Sequence, residues 1–150
     1  MRGKKKPCFR DLAPKVRLLV SRQHRMLIRS SIAVRMFDTD EILVPAHVLT
    51  GTPGISIDET VTAVEYYHML FEQHEIVFAE GAPSESLFTG TEALKSVPAA
   101  ARAEILELFP ELEMPGYLPP PARPIPAKGR QMRNMVQRHV KNSRALIESA

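Results

Sequence analysis

Apolar positions come in short runs through the first ninety residues and at helical spacing afterwards. Lys15 to Val20 sets Val16, Leu18 and Val20 against Lys15, Arg17 and Leu19, a period of two that predicts a strand. Ser21 to Gln23 is polar and predicts a bend. His24 to Arg29 resumes an apolar and basic stretch, and Ile32 to Phe37 is a third short strand candidate. Asp38-Thr39-Asp40 is a turn signal. Glu41 to Val44 is a short strand ended by Pro45, Ala46 to Leu49 continues it on a new line, and Gly51-Thr52-Pro53-Gly54 is a loop. Valine, tyrosine, isoleucine and phenylalanine then dominate Val61 to Ser86. This predicts a hairpin with its turn near Phe71 to Gln73 and with His68 and His74 on adjacent strands. Gly81-Ala82-Pro83 closes it.

From Gly90 the period changes. Ser96 is a suitable N-cap before Val97-Pro98, and Ala99 to Phe109 carries Ile105, Leu106 and Phe109 on one side of a predicted helix that Pro110 stops. Pro115 to Pro126 is proline-rich and predicts an extended strap. Gln131 to Ile147 predicts a terminal helix, with Met132, Met135, Val136 and Val140 at helical spacing. No internal repeat is present. The expected fold is mainly β with a short helix, a proline-rich strap and a C-terminal helix. It divides into a basic arm (1–14), a β domain (15–89), a helical and proline-rich extension (90–127) and a basic C-terminal helix (128–150).

A length of 150 residues fits one domain, and a 44% hydrophobic content is enough for a core. No apolar run approaches the roughly 20 residues that cross a bilayer, and MRGKKKPCF lacks the apolar stretch of a signal peptide. The expectation is a soluble cytoplasmic protein with no membrane partner. The single Cys8 forms no internal disulfide, which fits a reducing compartment.

The net charge of +3 hides a segregation: residues 1–36 balance to +10, 37–127 to −12 and 128–150 to +5. Such a chain satisfies much of its charge internally. Nucleic acid is a disfavoured partner, because only Phe9 and Phe37 lie in or beside the first basic segment and no aromatic lies in the last. An acidic protein bound by the basic arm and tail is the alternative partner.

Three groups of residues could carry chemistry. Ser21 and His24 are three apart across a bend, so hydroxyl and imidazole can face one small volume. An imidazole there polarises a carbonyl or protonates a leaving amine near neutral pH; the plainer reading is a histidine that satisfies buried backbone. His68 and His74, with Glu72, Glu75 and Glu80 at hand, suggest a metal, but the spacing matches no structural zinc signature and no metal or other cofactor is expected. Cys8 lies in a lysine-rich arm that favours its thiolate, yet an incidental thiol is the better reading in that setting. Ser84 and Ser86 lack the G-x-S-x-G elbow of a serine hydrolase.

At these residues the chain resembles a bacterial Hedgehog/intein, or Hint, domain. LLVSRQHRMLIR is similar to the segment with the family's Thr/Ser-x-x-His motif, placing Ser21 and His24 in the motif positions. ILVPAHVLTG resembles the following strand and turn, and VEYYHMLFEQHEIVFAEGAPSESL resembles the C-terminal hairpin, with His74 on its His and Gly81 on its Gly. The resemblance, from about Leu18 to Ala145, implies an all-β horseshoe whose leading Cys or Ser attacks the preceding carbonyl in an N-to-S or N-to-O acyl shift. It implies that Ser21 and His24 activate the amide while His74 assists. The family's nucleophile normally lies many tens of residues before the motif, whereas Cys8 precedes Ser21 by thirteen. The expectation is therefore a partial horseshoe, truncated and inactive alone in self-cleavage, with a complementing N-terminal Hint half as its natural partner. Splicing is disfavoured, because Glu75, Glu80 and Ser84-Glu85-Ser86 stand where inteins carry a terminal His-Asn. The alternative is a small interaction module.

Overall fold

A computed structural model describes residues 17–149. Cys8, the whole basic arm and Lys15-Val16 lie outside the described residues. The centre is a four-stranded antiparallel sheet of order β2-β1-β4-β3, built from β1 (Arg25–Arg29), β2 (Glu41–Pro45), β3 (Ile76–Ala79) and β4 (Ala82–Glu85). Around it run α1 (Ser31–Phe37), α2 (Ala46–Leu49), α3 (Thr91–Ser96), α4 (Ala99–Leu108) and α5 (Gly129–Lys141), with a 3-10 turn at Pro110–Glu113. Helical residues outnumber strand residues among those described, so the expectation of a mainly β chain is corrected to an antiparallel sheet dressed with helices.

β1 and β2 pair along their whole length, Arg25 opposite Pro45 through Arg29 opposite Glu41. Their centres, Met26-Leu27-Ile28 and Ile42-Leu43-Val44, are apolar at every position and buried, as befits strands covered on both faces. Met26, Ile28, Ile42 and Val44 join one cluster with Ile32, Leu49, Met135, Val136 and Leu146. Strand alternation turns the paired Leu27 and Leu43 to the other face.

Ile32 to Phe37 is a helix, not the expected strand. Ser30 decides this: in extended conformation, its hydroxyl accepts from the Ala33 N–H at 3.1 Å and caps the first turn. Asp38, at φ 57°, ends the helix and leads the chain back into β2. Ala46–Leu49 is likewise a helical turn rather than a continued strand, and Arg17 to Val20 is not a strand.

The hairpin lies later than the β-rich run predicts. Val61 to Glu75 contains no strand, and the turn falls at Glu80-Gly81, not at Phe71 to Gln73. Both turn residues have positive φ, 51° and 86°, the pair that a two-residue hairpin loop requires. His68 and His74 therefore do not sit on adjacent strands.

Pro98, not Ser96, caps α4; Ser96 closes α3, its hydroxyl bonded to the Ala93 carbonyl. The terminal helix stops at Lys141, short of the expected Ile147. Met132, Met135, Val136 and His139 form its buried stripe, and Val140 is 44% exposed. Beyond it the tail returns to the sheet: Arg29 N–H donates to Leu146 C=O at 2.9 Å, and Glu148 N–H to Arg29 C=O at 2.8 Å. β1 meets β4 only at Met26 and Ser84, so the tail occupies the end of β1 that β4 leaves unpaired. The proline-rich strap caps the other edge, where Leu43 N–H donates to Pro124 C=O at 3.0 Å and Arg123 pairs with Glu41. Both devices cover strand edges that would otherwise invite foreign pairing.

Candidate active site

Ser21, Arg22, Gln23 and His24 form a tight turn closed by the His24 N–H donating to the Ser21 carbonyl at 3.1 Å. The turn's own bond uses backbone, which leaves the Ser21 hydroxyl outside it. Two bonds from the first residues of α2 fix the turn in place: Ala46 N–H to His24 C=O at 2.8 Å, and His47 N–H to Arg22 C=O at 3.0 Å. His47 also bonds the Arg22 carbonyl through Nδ1 at 3.0 Å. The polar run predicted as a bend is thus a rigid corner that delivers His24 to the start of β1.

Beside this corner lies a buried carboxylate. Glu85, last residue of β4, accepts from the Arg25 backbone N–H at 2.8 Å through Oε1 and from Arg25 Nη1 at 2.9 Å through Oε2. His74 Nε2 stands 3.2 Å from the same Oε2, a close polar contact whose alignment falls short of a full hydrogen bond. The other His74 nitrogen, Nδ1, accepts the Ala122 N–H of the strap at 3.0 Å. A nitrogen that accepts carries no proton, so the neutral ring holds its hydrogen on Nε2, facing Glu85. Phe88 closes the group, its ring centre 4.9 Å from that of His74 and 5.6 Å from the Arg25 guanidinium carbon.

Burial holds His24 below the ordinary imidazole value; Glu85 opposes the shift, and His68 and Arg25 reinforce it. At neutral pH His24 is then a neutral imidazole with one N–H to donate and one lone pair, and its conjugate acid is a stronger proton donor than a free histidine. Burial alone would raise Glu85, but His74 and Arg25 outweigh it and hold the carboxyl below its usual range. The site is a turn-mounted imidazole beside a fixed negative charge.

His74 meets the Glu85 carboxylate, His24 precedes the N–H that binds it and feels its charge, and Ser21 lies on the corner that carries His24. His68 enters only as a charge felt by His24. Among the described residues no three His, Cys, Asp or Glu side chains gather as metal ligands, so His68, His74, Glu72, Glu75 and Glu80 do not assemble. A groove of about 900 Å³ runs along the corner, lined by Arg17, Arg22, Ala46, His47, Asp58 and Tyr66 among others, and includes none of Arg25, His74, Glu85 and Phe88.

The model of the Hint domain family matches residues 5–91, a span holding Ser21, His24, His74 and Glu85. The chain belongs to the Hint domain family. This family is linked in general to autoprocessing. No curated protein and no solved structure matches the chain. The strap and α5 lie beyond the matched span, yet the strap supplies the Ala122 N–H to a residue inside it. No helix among the described residues is long and apolar enough to cross a membrane.

Sequence reasoning on this Hint domain missed Glu85, Arg25 and Ala122. Glu85 passes for a surface acid in the polar run Ser84-Glu85-Ser86, and no local spacing relates it to Arg25, sixty positions away. Only the structure shows that β4 has no exposed member, and that burial is what marks its acid. A buried carboxylate requires a partner.

Proposed function

We propose that this chain is the motif-bearing portion of a Hint domain, in which Ser21 and His24 activate a peptide bond for an acyl shift whose nucleophile comes from a complementing Cys- or Ser-led strand block. The nucleophile's thiol or hydroxyl gives up its proton as its sulfur or oxygen adds to the carbonyl carbon, the C–N bond breaks, and the departing amine takes up that proton. His24 hydrogen-bonds the amide and relays that proton, and the Ser21 hydroxyl stands on the same corner as a further donor. The observation that carries the reading is the corner itself: a histidine whose backbone is held by Ser21 and α2, next to a residue whose N–H binds a carboxylate that stays ionised. His74 touches Glu85 rather than open solvent, so it assists by position.

Two fusions test this. A reporter placed before Met1 is expected to remain attached in the presence of added thiol, with or without Cys8→Ala. Release by the bare chain would overturn the need for a complementing block, whether or not Cys8→Ala abolished it. When a Cys-led strand block from another Hint domain is joined ahead of the chain, thiol-dependent release is expected, and His24→Ala should slow it by roughly 10²- to 10⁴-fold. Equal release with and without His24 would refute the assignment.

A second reading has its own support. Arg130, Arg133, Arg138 and Lys141 are exposed on α5, outside the family match, a basic face suited to an acidic protein. Capture of an acidic protein by the chain that weakens steeply with salt, and is lost on reversing these four charges, would favour it.

A further inference from the structure

We propose that Glu85 is the positioning residue of this site: its carboxylate binds the peptide N–H joining His24 to Arg25 and sets negative charge beside the imidazole, while the strap, acting through His74, holds the carboxylate there. The proposal rests on the reading above only in taking His24 to act on an amide. Three hydrogen bonds and one close contact carry it. Oε1 is bound to the peptide nitrogen immediately after His24, so carboxylate and imidazole are tied by one residue of backbone. Oε2 is shared between Arg25 Nη1 and His74 Nε2. His74 cannot turn away, because its Nδ1 takes the Ala122 N–H and its side chain is 1% exposed.

A carboxylate needed only as cement would be served by the two Arg25 bonds. The third contact commits a buried histidine and a backbone N–H from beyond the family match to holding the same oxygen. Charged and titratable groups bearing on His24 are Glu85 from β4, Arg25 from β1, and His68 from the segment before β3. Glu85 is the one acid among them, so it alone can stabilise an imidazolium while a proton is in transit.

The test is a pH titration of the histidine ring resonances by NMR on the full chain. Glu85→Gln keeps the shape and removes the charge, so His24 should titrate at lower pH than in the wild type. Glu85→Asp should restore part of the shift. A folded Glu85→Gln chain in which His24 is unmoved would overturn the proposal. Should that variant not fold, Ala122→Pro deletes only the donor to Nδ1, in a strap that already reads Pro119-Pro120-Pro121. It is expected to move the His74 ring nitrogen shifts and, with them, the titration of His24. A wild-type His74 that carries its proton on Nδ1, or an Ala122→Pro chain with His24 unmoved, would also overturn it. None of these readouts requires cleavage, so a silent chimera would sink the functional reading alone and an unmoved His24 this proposal alone.

Discussion

At the scale of single residues, three buried polar side chains do work that their neighbours cannot. Glu85 and His74 share the contact described above. Ser30, at the opposite end of β1, accepts from the Ala33 N–H and meets His139 Nε2 at 3.0 Å, deep in the core. One hydroxyl thus caps α1 and anchors α5. Ser30→Ala removes the cap, worth about 1 kcal/mol, and leaves a buried imidazole nitrogen without its partner, worth about 1–3 kcal/mol more. Urea unfolding should show a loss of about 2–4 kcal/mol. A loss under about 0.5 kcal/mol would mean that the Ser30 to His139 contact contributes nothing. His139 also explains why the predicted stripe of α5 was displaced: a polar symbol at the seventh position after Met132 hides a residue that is 1% exposed.

Among the elements, the β3–β4 hairpin depends most sharply on one backbone conformation. Glu80 and Gly81 both lie at positive φ. A side chain at Gly81 incurs the left-handed penalty, so Gly81→Ala should destabilise by about 1–2 kcal/mol, read from the urea midpoint. It should also loosen Glu85, which the hairpin carries, and amide exchange across β4 would reveal this. Unchanged protection at β4 would show that the strand is held by β1 alone. The β-rich stretch before the hairpin illustrates the opposite case. Val64, Tyr66, Tyr67, Met69 and Phe71 have the composition of a strand, but remain exposed, with Tyr67 at 88%. Propensity for a pleated surface is realised only where a neighbouring strand offers bonds, and here Met69 receives a single backbone bond, from Leu87.

In the molecule as a whole, the segregated charges meet across the fold. Arg17 pairs with Asp58, Arg25 with Glu85 and Arg29 with Glu41, each joining the basic first segment to the acidic middle. These contacts and the buried histidines give stability one direction of pH dependence. His24 and His139 are held below the ordinary imidazole value of 6.5, chiefly by burial. As pH falls below that value, the unfolded chain takes up protons that the folded chain refuses, and stability drops. Glu41, Glu85 and Glu148 are held below the ordinary 4.5, where arginine contacts and hydrogen bonds, with His74 for Glu85, outweigh burial. Their contribution is present above 4.5 and is lost as pH falls through the folded values. Both effects have the same sign, so the urea midpoint should decline steadily from pH 7 to pH 3.5, beginning before any carboxylate titrates. A midpoint at pH 5.5 equal to that at pH 7 would contradict the buried state of the two histidines.

The order of residues was enough to determine the apolar strands at Met26 to Ile28 and Ile42 to Val44, the turns at Asp38 and Gly51, the proline strap, a C-terminal helix burying Met132, Met135 and Val136, and the Ser21 to His24 corner with its family. All of these are written in neighbours a few positions apart, where period and turn chemistry act. Tertiary structure alone decided that Val61 to Glu75 pairs with no strand, that the tail returns to β1, and that Glu85 joins Arg25 and His74. Each of those outcomes depends on where a buried hydrogen-bonding group finds its partner, and the partners come from parts of the chain that only folding brings together.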